Sequence, residues 1–205
     1  MRAIVRRLAA TFALVGAPAN AHAHLVNTRL GDFYGGMLHP LTGFQDPLPW
    51  LALAILAALQ GPRRARWLLV AFPVGLLVGG GLSLIAPGVS FIPLLDVALI
   101  ALIGMAVAAA VVMPLPAVIG LGVVIGLAHG YQNGQAMTES TDHLLFISGV
   151  TAIGYASITM ATACATAFLQ GSGSWRLLAL RASGSWVAAV GIMAFGLQFV
   201  APATH

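Results

Sequence analysis

The chain has 205 residues, 60% of them hydrophobic and 7% charged, with a mean hydropathy of +0.96. Soluble domains carry about 25% charged residues, so a soluble fold is excluded and the composition defines an all-α polytopic membrane protein. The net charge of +4 comes from arginine alone, which excludes a lysine Schiff base and a Walker-type nucleotide site. Without a basic stripe it points to no nucleic-acid partner.

The first residues have the layout of a signal peptide. MRAIVRR is a basic n-region, LAATFALVGA is a short apolar core, and Ala19-Asn20-Ala21 or Ala21-His22-Ala23 fits small-x-small cleavage. Residues 1–23 are therefore expected to be cleaved, and residues 24–205 to form a single six-helix transmembrane domain. The mature chain would begin at His22 or His24, outside the cytoplasm. There an α-amine plus the imidazole of His24 would make a chelating pair for a borderline metal. Alternatively, these histidines simply fray near the cleavage site.

Six apolar runs follow, and each is expected to cross the bilayer. The first, about Leu41 to Leu59, is interrupted early by Pro47 and Pro49, so its outer end is expected to be irregular or re-entrant. The second is Trp67 to Ala86, ended by Pro87-Gly88. The third is Phe91 to Met113, and the fourth, Gly-rich, is Pro116 to about His129. The fifth is about His143 to Leu169, with the single cysteine Cys164 expected to serve in packing. The sixth is about Leu177 to Val200. Arg63, Arg64 and Arg66 follow the first run, and Arg176 and Arg181 flank the start of the sixth. Arginine retention places those ends in the cytoplasm and both termini outside. The expected location is the inner membrane of a bacterium, in contact with its lipid bilayer.

That topology gathers the histidines and acids at the outer face. Glu139, Asp142 and His143 are spaced to share one helical face if the fifth helix starts near Thr138. Carboxylate and imidazole ligands on one face suit a divalent cation such as nickel, cobalt or zinc. The same stretch also suits a helix start, with Ser140 or Thr141 as cap and acids at the positive end of the dipole. His129 closes the fourth run and is either a ligand facing His143 or a satisfied structural histidine. His39 opens the first run, with Gly43 four residues on clearing space beside it. Asp46 precedes a proline in an expected non-helical joint, as a ligand or as a cap. Asp96 lies inside the third run, where a carboxylate faces the bundle interior or water and serves as ligand, proton carrier or hydrogen-bond partner.

These residues carry a resemblance. The His39-Pro40-Leu41-Thr42-Gly43 opening, the His129-Gly130 end of the fourth run, the AHAH after the apolar leader and the tight helices resemble the HupE/UreJ family. The family pattern in the first span is His-Pro-x-x-Gly-x-Asp-His. Here Gln45 and Asp46 stand where its Asp and His are expected. In the second pattern, His-Gly-x-Ala-His-Gly-x-Glu, Asn133 and Ala136 replace the second His and the Glu. Asp142-His143-Leu144-Leu145 is similar to a family run found elsewhere. The resemblance implies a permease for nickel or cobalt, no prosthetic cofactor, no enzyme activity, and association with metalloenzyme maturation proteins. Two rivals stand beside it. One is a metal-binding accessory protein that transports nothing. The other is an intramembrane hydrolase built on His129-x-x-x-Asn133, which lacks a suitably placed nucleophilic serine.

Overall fold

The computed structural model describes residues 30–43 and 45–200. The expected signal peptide, His22, His24 and His205 lie outside the described residues. Within them the chain is helical and contains no strand. Helix α1 spans Gly31–Leu38 and runs into a 3-10 turn at His39–Leu41. Then come α2 (Pro47–Gln60), α3 (Pro62–Ile85), α4 (Ile92–Ala108), α5 (Leu115–Gly134), α6 (His143–Gln170) and α7 (Trp175–Val200).

Each apolar run has its helix, but the lengths differ. Helices α3, α5, α6 and α7 are long and apolar enough to cross a membrane, whereas α2 has 14 residues and α4 has 17. At 1.5 Å per residue these two reach about 21 and about 26 Å, short of a hydrocarbon core of about 30 Å. The prolines explain the first case. Pro47 occupies the first position of α2, where its missing N–H costs nothing, and helix cannot extend easily to its N-terminal side. The chain before it turns instead through a 3-10 segment and a bend, as the paired prolines imply.

Helix α2 is the axis of the bundle. Trp50, Leu53, Ala54, Leu56 and Ala57 are all at most 2% exposed, and α2 touches α3, α4, α6 and α7. A helix apolar on every side is one surrounded by others. Around it, two pairs are zipped by glycine. Gly122, Gly126, Gly130 and Gly134 recur every fourth residue along α5 and face α3. A Cβ on Gly126 would lie 2.8 Å from the Gly75 Cα, and one on Gly75 would lie 2.9 Å from the Gly126 Cα. The two backbones are in direct contact, as small-residue stripes allow where lipid supplies no hydrophobic drive between helices. Gly104 of α4 and Gly184 and Gly191 of α7 lock the second pair against Ala188, Ala108 and Ala101 in the same manner. Short α1, which was not expected, rests on the start of α6 through Gly36, placed against the Phe146 carbonyl, and Gly149, placed against the Phe33 carbonyl.

Connections are tied by side chains. Gln60, buried at the end of α2, donates from Nε2 to the Val111 carbonyl at 2.7 Å and accepts from the Met113 N–H at 2.8 Å. It thereby satisfies the extended link between α4 and α5. The Tyr131 hydroxyl donates to the Ala86 carbonyl at 2.6 Å and accepts from the Val89 N–H at 2.9 Å, holding the α3–α4 turn. Arg181 Nε donates to the Ala108 carbonyl at 2.7 Å and closes the end of α4.

Local expectations are met in part. Helix α5 continues past His129 to Gly134, while α6 starts at His143, where the fifth apolar run begins, so the face that Glu139, Asp142 and His143 would share from a start near Thr138 does not form. The reason is the polar turn between them: Thr138, Ser140 and Thr141 hydroxyls bond one another and local backbone, competing with helix. Gly43 has open space around its α-carbon and so makes no niche for His39. Asp46 stands in the turn before α2, as the non-helical joint requires, but its backbone angles, φ −88° and ψ −52°, are already right-handed helical, because its carbonyl accepts the first bond of α2 from Trp50 N–H. Cys164 lies exposed on α6 rather than packed inside.

Candidate functional site

Three elements deliver polar side chains to one buried point. Asp46 caps the backbone at the start of α2, Asp96 sits one turn into α4, and His129 and Asn133 share a face of α5 at a spacing of four. The glycine stripe of α5 faces α3. This leaves His129, flanked by Ala128 and Gly130, to turn toward α2 and α4. His129 is 1%, Asn133 2% and Asp96 4% exposed.

The imidazole is gripped on both nitrogens. Nδ1 of His129 lies 2.5 Å from Oδ1 of Asp46, and Nε2 lies 3.0 Å from Oδ1 of Asp96. The two contacts differ in kind. The first is a short hydrogen bond. The second is an ion-pair contact between two buried atoms, longer than the first and less well aligned for a hydrogen bond. Asn133 Nδ2 donates to both Asp46 oxygens at 3.1 Å and to the His129 carbonyl at 2.9 Å. Asp46 is thus the hub: it does not cap α2 with its side chain but orients the imidazole and is itself held by the amide. Asn133 Oδ1 and Trp50 Nε1 are also buried without partners. The Trp50 ring lies 6.2 Å from the imidazole and edge-on to Phe72 at 5.6 Å, forming an apolar floor.

Buried polar atoms are nearly always bonded, so four unsatisfied ones among Trp50, Asp96, His129 and Asn133 are informative. They include one imidazole nitrogen and two oxygens that can accept a proton or a cation. The arrangement offers a carboxylate-oriented histidine whose second nitrogen faces another carboxylate oxygen 3.0 Å away, in a site of low dielectric.

The other candidates lie elsewhere. Asp142 accepts from the Leu145 N–H at 3.1 Å, capping α6, while its own N–H donates to Asp32 Oδ2 at 2.7 Å. Glu139 and His143 are exposed on the same rim. His39 is exposed and tilts against Phe146 with ring centroids 5.8 Å apart. The structure therefore brings Asp46, Asp96 and His129 together and leaves His39, Glu139, Asp142 and His143 at the surface of the same end. Trp50 and Gln132 were not among the expected site residues, and Asn133 entered only as the replacement for a motif histidine and as half of the His129-x-x-x-Asn133 pair. Their signal was present for Asn133 alone, as the polar residue four after His129 in an apolar helix. Of the serines weighed as nucleophiles, Ser148 bonds Leu145 O and Ser183 bonds Leu180 O, each within its own helix.

An all-helical, multi-pass membrane protein with a histidine clamped between carboxylates from two further helices is the class that fold and site define. A family model described as HupE / UreJ protein matches residues 11–194, and the chain belongs to the HupE / UreJ family. Among curated proteins, Protein HupE of Rhizobium leguminosarum bv. viciae is 26% identical over 149 residues, covering 71% of this chain and 76% of the relative. No solved structure matched the chain.

Proposed function

We propose that the protein is a permease for a divalent transition-metal ion, nickel or cobalt, and that the ion passes through the Asp46–His129–Asp96 cluster. The observation that carries this is the 3.0 Å separation of His129 Nε2 and Asp96 Oδ1, two buried atoms whose remaining partner is each other. Two donor atoms each about 2.1 Å from an ion and at right angles to it stand about 3.0 Å apart. The pair therefore has the span of one edge of a coordination octahedron. Asp46 supplies what such a histidine needs, a carboxylate on its other nitrogen that fixes the tautomer and raises ligand basicity. Imidazole with oxygen donors suits nickel and cobalt better than alkaline-earth ions.

Only two protein donors face the ion at that edge, and Asn133 Oδ1 offers a third nearby. Among the described residues no group of three or more His, Cys, Asp or Glu side chains is arranged to enclose a metal. Incomplete coordination suits passage, since a conducted ion must bind weakly enough to leave. The sequence carries no nucleotide-binding motif, so in this reading an ion gradient, the membrane potential or a partner drives net movement. The chain carries no prosthetic group in this reading, and the metal is its substrate.

Accumulation of nickel and cobalt in cells expressing the wild type, His129→Ala, Asp96→Asn and Asp142→Ala tests it. His129→Ala and Asp96→Asn are expected to lower accumulation by about tenfold or more, and Asp142→Ala, which loses only a cap, to retain most of it. Equal accumulation in all of these strains would sink the proposal.

A further inference from the structure

Asp96 borders a second feature. A cleft of about 240 Å³ opens between the start of α2, α4, α5 and α7, lined by Asp96, Gln45, Gln132 and Gln198 among apolar residues that include Pro93 and Ala194. Gln45 precedes α2, Gln132 lies near the end of α5, and Gln198 lies near the end of α7. All belong to the end of the bundle that carries the His129 cluster. Asp96 and Gln132 stand at its inner wall: Asp96 is 4% exposed, its Oδ1 is buried toward His129, and the Gln132 amide nitrogen is buried, which leaves their other side-chain oxygens for the cleft.

We propose that this cleft is the receiving site for a hydrated divalent cation, which exchanges its first water for Asp96 before meeting His129. Size supports it. Six waters at about 30 Å³ each need about 180 Å³, which fits in the cleft, whereas a bare ion would rattle. Chemistry supports it too. Glutamine carbonyls accept hydrogen bonds from the polarised O–H groups of metal-bound water, and being uncharged they do not trap the ion. The single carboxylate stands at the inner wall, surrounded by apolar surface that focuses its field on the cleft. One metal–water bond breaks as one metal–carboxylate bond forms, and the released water leaves by the same opening. Since Asp96 Oδ1 also faces His129 Nε2, this carboxylate links the outer site to the inner one. Gln45, Gln132 and Gln198 are then specificity-determining residues that recognise the hydration shell.

The inference rests on the proposed transport function but is tested by binding. In the purified full chain with Cys164→Ser, a cysteine is introduced by Ala194→Cys in the cleft wall, and its reaction with a cationic methanethiosulfonate is timed with and without Ni²⁺. At ten times its dissociation constant, Ni²⁺ is expected to slow the reaction about tenfold. The slowing is expected to persist with His129→Ala and to vanish with Gln132→Leu plus Gln198→Leu. Ile192→Cys, on the exposed side of α7, is expected to react equally with and without Ni²⁺. An unchanged rate at Ala194→Cys, equal slowing at both positions, survival in the double glutamine variant, or loss with His129→Ala would each overturn the proposal. Slowing in a protein that accumulates no metal in cells would sink transport and leave the cleft standing. Accumulation without slowing would do the reverse.

Discussion

Asp46 is the residue on which the site turns, because its side chain contacts both His129 and Asn133 and, among the described residues, bonds to nothing else. Asp46→Asn keeps the shape and an acceptor oxygen for Nδ1 but removes the charge that, in the proposed function, makes the imidazole a strong ligand. The substitution is expected to raise the KM for nickel by about ten- to a hundredfold while leaving the folded yield unchanged. Concentration-dependent uptake checks this, and an unaltered KM would show that Asp46 is only a structural partner. The family pattern puts an aspartate one position earlier, at Gln45, so motif matching alone treats Asp46 as displaced. A one-residue displacement on a helix would rotate a side chain by about 100°. Asp46 stands before the helix, in the turn, where backbone angles absorb the shift. His129 and Asp96 were legible because ionisable groups inside apolar runs need partners. Their pairing was not, since sequence spacing is silent about which of several acids comes to face a histidine. The exposed group of Glu139, Asp142 and His143 was attractive for the opposite reason: proximity in sequence imitates a site, and the threonine-rich turn before α6 undoes the shared face.

The elements themselves were largely legible, because six apolar runs bounded by Pro, Gly and Arg are strong signals. What composition could not give is how the helices pair, and glycine decides that here. The α3–α5 contact brings backbone against backbone, so the position of a single Cβ is enough to test it. Gly126→Leu would put a side chain into the Phe72 carbonyl and the Gly75 α-carbon. Overpacking of this kind costs about 1–3 kcal/mol, and in a zipper without slack the upper end is expected. Gly81, in the same helix as Gly75, has nothing within 4 Å of its would-be Cβ, so Gly81→Ala should stabilise α3 by about 0.5–1 kcal/mol through lower backbone freedom in the unfolded chain. Thermal unfolding of the two variants in detergent gives opposite signs if the stripe sets the pairing. Loss of stability in both would point to glycine's flexibility rather than its size. The register has a functional consequence as well, because His129 lies one residue before Gly130. Any slip of α5 on α3 would carry the imidazole away from Asp46 and Asp96.

At the scale of the molecule the charges are polarised. The described arginines Arg63, Arg64, Arg66, Arg176 and Arg181 stand at or near the starts of α3 and α7, at the end where Arg181 meets the last turn of α4. Asp32, Asp46, Glu139 and Asp142 stand at the opposite end, with Asp96 one turn inside it. The two short helices, α2 and α4, are the ones that begin with the site's carboxylates. Their shortness recesses Asp46 and Asp96, while α5 runs on about 7–8 Å beyond His129. A recessed acidic mouth at one end and an arginine collar at the other is the layout expected if the basic end is cytoplasmic, and it would aim the cleft at the outside. Single cysteines in a Cys164→Ser background decide it. Ser140→Cys lies in the exposed α5–α6 turn at the acidic end, and Ser172→Cys lies exposed between α6 and α7 at the basic end. A membrane-impermeant maleimide is expected to label Ser140→Cys in intact cells and Ser172→Cys only after permeabilisation. The reverse pattern would turn the molecule over. The cleft and the carboxylate–histidine edge would then face the cytoplasm, and the same geometry would collect metal for export rather than uptake.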